Sequence, residues 1–154
     1  MGILTDDMKR VVDEQRLGFV ATVCPDGTPN LSPKGTTAIW DDDHLVFADL
    51  RSPQTIRNLE ANPAVEINVV DPVVRKGYRF KGVGRIVREG AELDGITAMF
   101  REDREVDRSR IRAVVIVDVS RANELISPAY DMGASEEELR TTYKQRLVEL
   151  YGPF

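Results

Sequence analysis

The sequence predicts a mainly β domain: an antiparallel barrel, closed or half-open, with flanking helices. Most of the predicted strands occur as hairpins and do not alternate one-to-one with helices, which favours such a barrel over a doubly wound sheet. Residues 111–119 form a β-branched run that alternates too little with polar residues for a surface strand, so we expect a central strand that closes the barrel. The 154 residues are 42% hydrophobic, which is ordinary for a single domain spanning residues 1–154.

Turn and cap residues predict the first elements. Thr5-Asp6-Asp7 supplies a cap and two acidic residues for a first helix, which we expect Gly18 to end. Residues 19–23 and 30–40 are predicted to be the two strands of a hairpin around a turn at residues 25–28.

The later elements follow from similar signals. A third strand at residues 45–48 leads to Ser52-Pro53, which supplies a cap and a proline at the first position of a second helix. Asn62-Pro63 ends that helix. Ser135 and Glu138 form a capping box for a final helix at about residues 135–151. The remaining predictions are strands at residues 64–70, 78–87 and 111–119 and a third helix at residues 89–101.

Composition argues against several classes of partner and chemistry. Twenty-six acidic and 21 basic residues give a formal charge of −5, which argues against general binding to nucleic acid or to anionic membranes. The apolar runs are too short to cross a bilayer and the first residues lack a basic segment, so we expect a cytoplasmic protein. Cys24 is the only cysteine and His44 the only histidine, which excludes a disulfide framework or a Cys/His zinc site within one chain.

Two predicted strands carry basic faces. Side chains alternate along a strand, so Ser32, Lys34 and Thr36 share one face. The same alternation groups the basic residues of the later strand, namely Arg79, Lys81 and Arg85. From spacing alone, each face is as compatible with a solvated surface as with an anion site.

A helix start and three glycines favour the anion site. The helix that begins at Ser52-Pro53 offers free backbone N–H groups beside Arg51 and Thr55, which suit a phosphate monoester. Glycine inside a strand often marks the close approach of a ligand or of another backbone. The strand glycines are Gly35, Gly82 and Gly84.

The order of these segments carries a family resemblance over roughly residues 14–120. It runs through the polar strand, the strand around Phe47, the helix with Ile56 and Leu59, Asn62-Pro63, and the strand with Arg79-Phe80-Lys81-Gly82. This order resembles that of the FMN-binding split-barrel family, which includes pyridoxamine 5′-phosphate oxidase. The resemblance implies a six-stranded antiparallel Greek-key split barrel that binds FMN non-covalently, and an oxidoreductase acting on a small-molecule substrate.

The resemblance also implies a set of cofactor-binding residues. Ser32, Lys34, Gly35 and Thr36 would meet the isoalloxazine, ribityl and phosphate edge of the flavin, and Asp49, Leu50 and Arg51 would follow a strand that borders it. Thr55 falls at a phosphate-contacting position where members often carry lysine, and Arg51 and Lys34 could compensate for the missing charge. We assign Lys81 to a cofactor or substrate anion. The arginine signature that binds substrate in pyridoxamine 5′-phosphate oxidase itself is absent near residues 151–154, so that particular reaction is not implied.

Two alternative functions stay open. The deazaflavin F420 has a longer acidic tail and would need a wider basic groove, which Arg75, Lys76, Arg79 and Lys81 could supply. A non-catalytic sensor could instead hold a flavin or a haem, with His44 as the only histidine available to ligate iron.

We also expect a homodimer with the cofactor near the subunit boundary. A single short barrel leaves a strand face unprotected, and Trp40, Tyr78 and Phe80 are large apolar groups beside the predicted ligand face. Isologous pairing would cover them. The family resemblance implies the same assembly.

Overall fold

A single antiparallel sheet of seven strands dominates the computed structural model, which describes residues 2–154. The strands are β1 (Gly18–Val23), β2 (Pro29–Lys34), β3 (Ala38–Ile39), β4 (His44–Asp49), β5 (Ala64–Asp71), β6 (Lys76–Val87) and β7 (Ala113–Ile126). Their order in the sheet is β2-β1-β5-β6-β7-β4-β3, and every neighbouring pair is antiparallel. The predicted fold class is confirmed.

Helices flank this sheet. They are α1 (Asp6–Gln15), α2 (Pro53–Ala61), α3 (Ala91–Arg104) and α4 (Glu136–Tyr151), with a short 3₁₀ helix at Arg108–Arg110. The predicted caps of α1 and α4 are present: the Thr5 hydroxyl accepts from Met8 N, and Ser135 and Glu138 form the capping box. The end of α1 differs from the prediction, because Arg16, with a φ of 61°, ends the helix and Gly18 already belongs to β1.

The predicted strand at residues 30–40 is broken into β2 and β3, which is why the sheet has seven strands and not six. Thr37 turns the chain at the break. Its N–H and its hydroxyl donate to the Lys34 carbonyl oxygen at 3.2 Å and 2.8 Å. β2 therefore pairs with β1, whereas β3 pairs with β4 at the opposite edge of the sheet.

The sheet has apolar cores on both faces. On the inner face, side chains of five strands, including Phe47 and Val115, form one cluster with residues of α1 and α2. On the other face, Val46 and Ile116 pack with Phe100 of α3. Burial on both faces explains the β-branched run in β7, which lies between β6 and β4 as the predicted closing strand.

Two of the three strand glycines make room for protein atoms and not for a ligand. A Cβ on Gly82 would collide with the Asp118 carbonyl oxygen, next to a bulge between Lys81 and Gly82. A Cβ on Gly84 would contact the Leu59 side chain at 3.1 Å. At Gly35, nothing lies within 4 Å of such a Cβ, so it is the one of the three whose Cβ position is open space.

The C-terminal helix α4 is anchored at its beginning and exposed toward its end. Lys76 pairs with Glu136 at 3.3 Å, and the Arg75 guanidinium lies 3.9 Å from the centre of the Tyr143 ring. None of its residues is buried, and Leu150 is largely exposed. Within residues 2–154, no helix has the length and apolar character needed to cross a membrane.

The close approach at Gly82 predicts a measurable difference between two glycines. Gly82→Ala should lower the free energy of unfolding by about 1–3 kcal/mol, because its Cβ would collide with backbone. Gly35→Ala is the control and should change it by less than about 0.5 kcal/mol. Denaturant unfolding of both variants measures the difference, and equal losses would contradict the close strand approach.

Candidate functional site

Lys34 is the centre of the candidate site. It is the last residue of β2 and only 6% exposed. Its ammonium donates to the Ser32 hydroxyl at 2.7 Å and to the Ser52 hydroxyl. None of the ion pairs formed within residues 2–154 includes Lys34. A buried cation here is held by neutral groups.

This environment shifts the titration of the amine. Burial lowers the pKa of Lys34 below the usual lysine value, and the negative charge of Asp49 opposes that shift only in part. Because hydroxyls compensate a buried charge less well than a carboxylate does, the site favours an added anion.

The start of α2 faces the same group. Pro53 occupies the first turn as predicted, but the Ser52 side chain does not cap the helix and accepts from Lys34 instead. Asp49 holds the turn, since its carboxylate accepts from Ser52 N at 2.9 Å. The first helical bond joins Ile56 N to the Ser52 carbonyl, so the N–H groups of Gln54 and Thr55 have no partner within the helix.

The structure brings together most of the residues predicted for the site. Ser32, Lys34 and Asp49 meet around Ser52, and buried Thr55 lies in the first turn of α2. The turn after Lys34 contains the others of this group. There Gly35 is exposed, and the Thr36 hydroxyl accepts from Ala48 N at 2.9 Å.

Two predicted residues lie on the border of this group. Arg51 is exposed immediately before Ser52. Leu50 packs into the second core with residues of α3, so its side chain supports the fold.

Lys81 lies on the opposite face of the sheet. Lys34 pairs with Gly18 and Ser32 pairs with Val20, whose side chain is in the inner core. Lys81 pairs with Glu66, which pairs with Ala21, one position out of phase with Val20. Side-chain alternation groups the basic residues within each strand, but the register between the strands puts Lys34 and Lys81 on opposite faces of the sheet.

The four cations considered for a wider groove all have partners within the chain. Arg79 and Lys81 pair with the Glu66 carboxylate at 2.8 Å and 3.1 Å. Lys76 pairs with Glu136, and Arg75 lies over the Tyr143 ring of α4. They do not form a continuous unpaired groove.

Of the three aromatic residues expected at a subunit boundary, Phe80 is buried, and Tyr78 and Trp40 are half-buried by contacts within the chain. Phe80 is in the inner core. The Tyr78 hydroxyl donates to the Asp7 carboxylate of α1 at 2.5 Å, which with burial raises the pKa of Tyr78 to about 12. Trp40 packs against the second core. The apolar residues that are exposed on β1 and β2 are Phe19 and Leu31, at 42% and 65%.

Sequence reasoning missed a polar row that fixes α2 on β1. The Asn58 amide is fully buried and donates to the Thr22 hydroxyl at 3.0 Å, while its oxygen accepts from Gln54 at 2.7 Å. The available signal was Thr22, a polar residue at a core-facing position of β1, two residues after buried Val20. The row holds the start of α2 beside Lys34.

The only histidine lies apart from this group. His44 opens β4, and its Nδ1 lies 2.7 Å and 2.9 Å from the two carboxylate oxygens of Asp41.

Comparison with known proteins identifies relatives of this architecture. The family model for pyridoxamine 5′-phosphate oxidase matches residues 4–125. The crystal structure of HupZ from Group A Streptococcus matches with 35% identity and a TM-score of 0.71, covering 80% of this chain and 94% of that chain. No curated protein matches the sequence.

More distant structures share the fold. An FMN-binding protein from Syntrophomonas wolfei matches with 13% identity and a TM-score of 0.67, covering 79% of this chain and 85% of that one. An F420 reductase matches with 23% identity and a TM-score of 0.62, covering 77% and 98%. Helix α4 lies beyond the segment that the family model matches.

The lowered pKa of Lys34 predicts a pH-dependent stability difference. Between this lowered pKa and the ordinary lysine value of 10.5, Lys34 is deprotonated in the folded protein but still protonated in the unfolded chain. The free energy of unfolding of the wild type therefore rises with pH across this window. Lys34→Met has no amine to titrate. Its stability relative to wild type should therefore fall as the pH rises through this window.

Denaturant unfolding of both proteins from about pH 7 to about pH 10 measures that difference. All other titrating groups are shared, so their effects cancel between the two proteins. A constant difference across the range would contradict a buried titrating amine at this position.

Proposed function

This chain belongs to the pyridoxamine 5′-phosphate oxidase family, and we propose that it is a flavoprotein that binds FMN non-covalently and uses it to oxidise or reduce a small molecule. The observation that carries this proposal is the buried ammonium of Lys34. It donates to the hydroxyl of Ser32 in β2 and to that of Ser52 at the start of α2. A phosphate monoester is the compact anion that such a site suits.

The hydrogen-bonding capacity of the site fits a phosphate group. Because the Ser32 and Ser52 oxygens accept from Lys34, their hydroxyl hydrogens stay available to an added acceptor. The N–H groups of Gln54 and Thr55 add backbone donors. We therefore assign the phosphate to Lys34, Ser32, Ser52 and the first turn of α2, with Arg51 at its solvent side.

The rest of the cofactor would lie toward the Gly35 turn. Gly35 borders open space, which allows a flat ring system to approach the backbone. The Thr36 oxygen accepts from Ala48 N and keeps its hydrogen for a ligand acceptor. We leave Lys81 out of the phosphate site because it lies on the other face and pairs with Glu66.

The protein groups orient the cofactor and do not replace its chemistry. Bound FMN would supply the transfer of electrons or hydride, which requires no catalytic acid, base or nucleophile from the chain. Lys34 and the start of α2 would fix the phosphate end, and Asp49 would hold Ser52 in place for that contact.

The contacts of the alternative residues make FMN the better proposal. F420 would need unpaired cations along its acidic tail, but Arg75, Lys76, Arg79 and Lys81 already contact acidic or aromatic groups. A haem would need His44; its Nδ1 contact to Asp41 leaves Nε2 to ligate iron, but no hydrogen bond connects His44 to Lys34 or Ser52 among the described residues. The visible spectrum of the purified protein distinguishes the three: FMN absorbs as a flavin, haem gives a Soret band, and a colourless protein that takes up added F420 would favour the deazaflavin.

We further propose that two copies pair through the outer face of β1 and β2. Phe19 and Leu31 are exposed there, and the neighbouring side chains of Ala21 and Val70 extend the apolar surface. Isologous pairing would bury this surface and protect the β2 edge. Lys34 is also in β2 but on its inner face, so the cofactor would lie behind the paired surface and near the subunit boundary.

Phosphate recognition predicts that FMN binds at least about ten-fold more tightly than riboflavin, because charge-assisted hydrogen bonds to phosphate contribute about 1.5–3 kcal/mol each. Lys34→Met should remove most of that preference and leave riboflavin affinity unchanged. Flavin fluorescence quenching measures both affinities. Lys144→Met, an exposed lysine of α4, is the matched control. Equal affinity of the wild type for FMN and riboflavin would refute a phosphate site.

The pairing surface predicts that Leu31→Glu converts a dimer into a monomer, because the new charge would be buried without a partner. Sedimentation at micromolar concentrations compares it with wild type. Val148→Glu changes a similarly apolar, 42% exposed residue on α4 and should leave the dimer intact. A wild-type monomer with full FMN occupancy would rule out a shared site.

A further inference from the structure

Arg104 connects α3 to the turn that follows Lys34. It is the last residue of α3, and its Nη2 donates to the Thr37 carbonyl oxygen at 3.0 Å. Its other terminal amine, Nη1, is buried and has no hydrogen-bond partner among the described residues. A guanidinium that leaves one buried donor unsatisfied is unfavourable by itself. We therefore expect Arg104 to have a role beyond packing.

The turn that Arg104 contacts determines where the Lys34 backbone lies. Thr37 is fully buried, and its N–H and hydroxyl both donate to the Lys34 carbonyl oxygen. A shift of Thr37 would therefore move Lys34. On the open side, nothing lies within 4 Å of a Cβ built on Gly35, so no packing restrains the turn there.

Besides the packing of buried Thr37 against Gly18, two hydrogen bonds from other elements fix the turn. The Thr36 hydroxyl accepts from Ala48 N of β4, and the Thr37 carbonyl accepts from Arg104. Of these two hydrogen bonds, only the one from Arg104 involves a charged group. Its planar guanidinium directs the N–H at the Thr37 carbonyl at a fixed angle.

The charges around Arg104 come from α1 and from α3 itself. Arg16, which ends α1, donates to the Asp103 carbonyl at 3.2 Å and is the neighbouring cation. Burial and then the charge of Arg16 lower the pKa of Arg104, while Asp13 and Asp103 oppose that shift. None of the ion pairs within residues 2–154 includes Arg104. Its defined polar contact is the one to Thr37.

We propose that Arg104 is a positioning residue of the phosphate site: by holding the Thr37 carbonyl, it fixes the turn from which Lys34 presents its ammonium. This inference rests on the proposed FMN site. Arg104 does not touch the phosphate, and it acts on affinity through Lys34. Its effect is therefore larger for ligands that carry the phosphate than for riboflavin, which meets only the Gly35 side of the turn.

The test compares FMN and riboflavin binding by fluorescence quenching in the full-length protein. Arg104→Met should weaken FMN binding by about ten-fold and riboflavin binding clearly less, because both ligands meet the Gly35 turn but only FMN also uses Lys34. Arg104→Lys should restore most of the preference, since an ammonium can still donate to Thr37. Arg16→Met removes a guanidinium from the same junction without touching the turn, and it should behave as wild type.

Thermal unfolding of each variant separates positioning from folding. If Arg104→Met does not fold, Arg104→Gln replaces it, because its shorter amide loses the contact but stays polar. Equal weakening of FMN and riboflavin would show a merely structural role and overturn the inference. An unchanged preference in Arg104→Met, with a lost preference in Lys34→Met, would also overturn it and leave the proposed function intact. A silent Lys34→Met would overturn both.

Discussion

The chain passes from one edge of its sheet to the other within residues 35–37, and this short crossing constrains the whole fold. Six inter-strand spacings of about 4.8 Å would separate the edges of a flat seven-stranded sheet by about 29 Å. Four Cα steps of about 3.8 Å, from Lys34 at the end of β2 to Ala38 at the start of β3, reach about 15 Å at most. The sheet must therefore curl until its edges approach each other, which produces a barrel split between β2 and β3.

The same crossing creates the site. The alternation along β2 directs its last side chain, Lys34, to the inner face, and at the crossing it meets Ser52 at the start of α2. The helix in turn is fixed on β1 through the buried Asn58 amide. A cation, two hydroxyls and unpaired helical N–H groups are thus held by the elements that close the barrel. Because these groups belong to elements that the fold itself fixes, they are held together before any ligand binds.

Local patterns predicted the parts of the site that depend on neighbouring residues. Alternation placed Ser32 and Lys34 on one face, and Ser52-Pro53 marked the start of α2. The break in the strand was missed because it depends on β3 pairing with β4 at the opposite edge of the sheet, whereas the bond from Thr37 to Lys34 that marks it is local. The parts of the site that local patterns did not predict depend on contacts between residues far apart in the sequence. The cross-strand pairing of Lys81 with Glu66 sets its face, and the contact between Arg104 and Thr37 joins residues 67 positions apart.

The two lysines show why basic residues on strands are not equivalent as anion sites. Lys81 pairs with the Glu66 carboxylate, so an incoming anion would compete with a charge already present and gain little. Lys34 is bonded to hydroxyls, which keep donors of their own and carry no charge that an anion must displace. In a chain with a formal charge of −5, Lys34 keeps a local positive charge that the nearby Asp49 carboxylate offsets in part. The proposed selectivity for a small, doubly charged group would follow from the partners of the lysine and not from the number of basic residues.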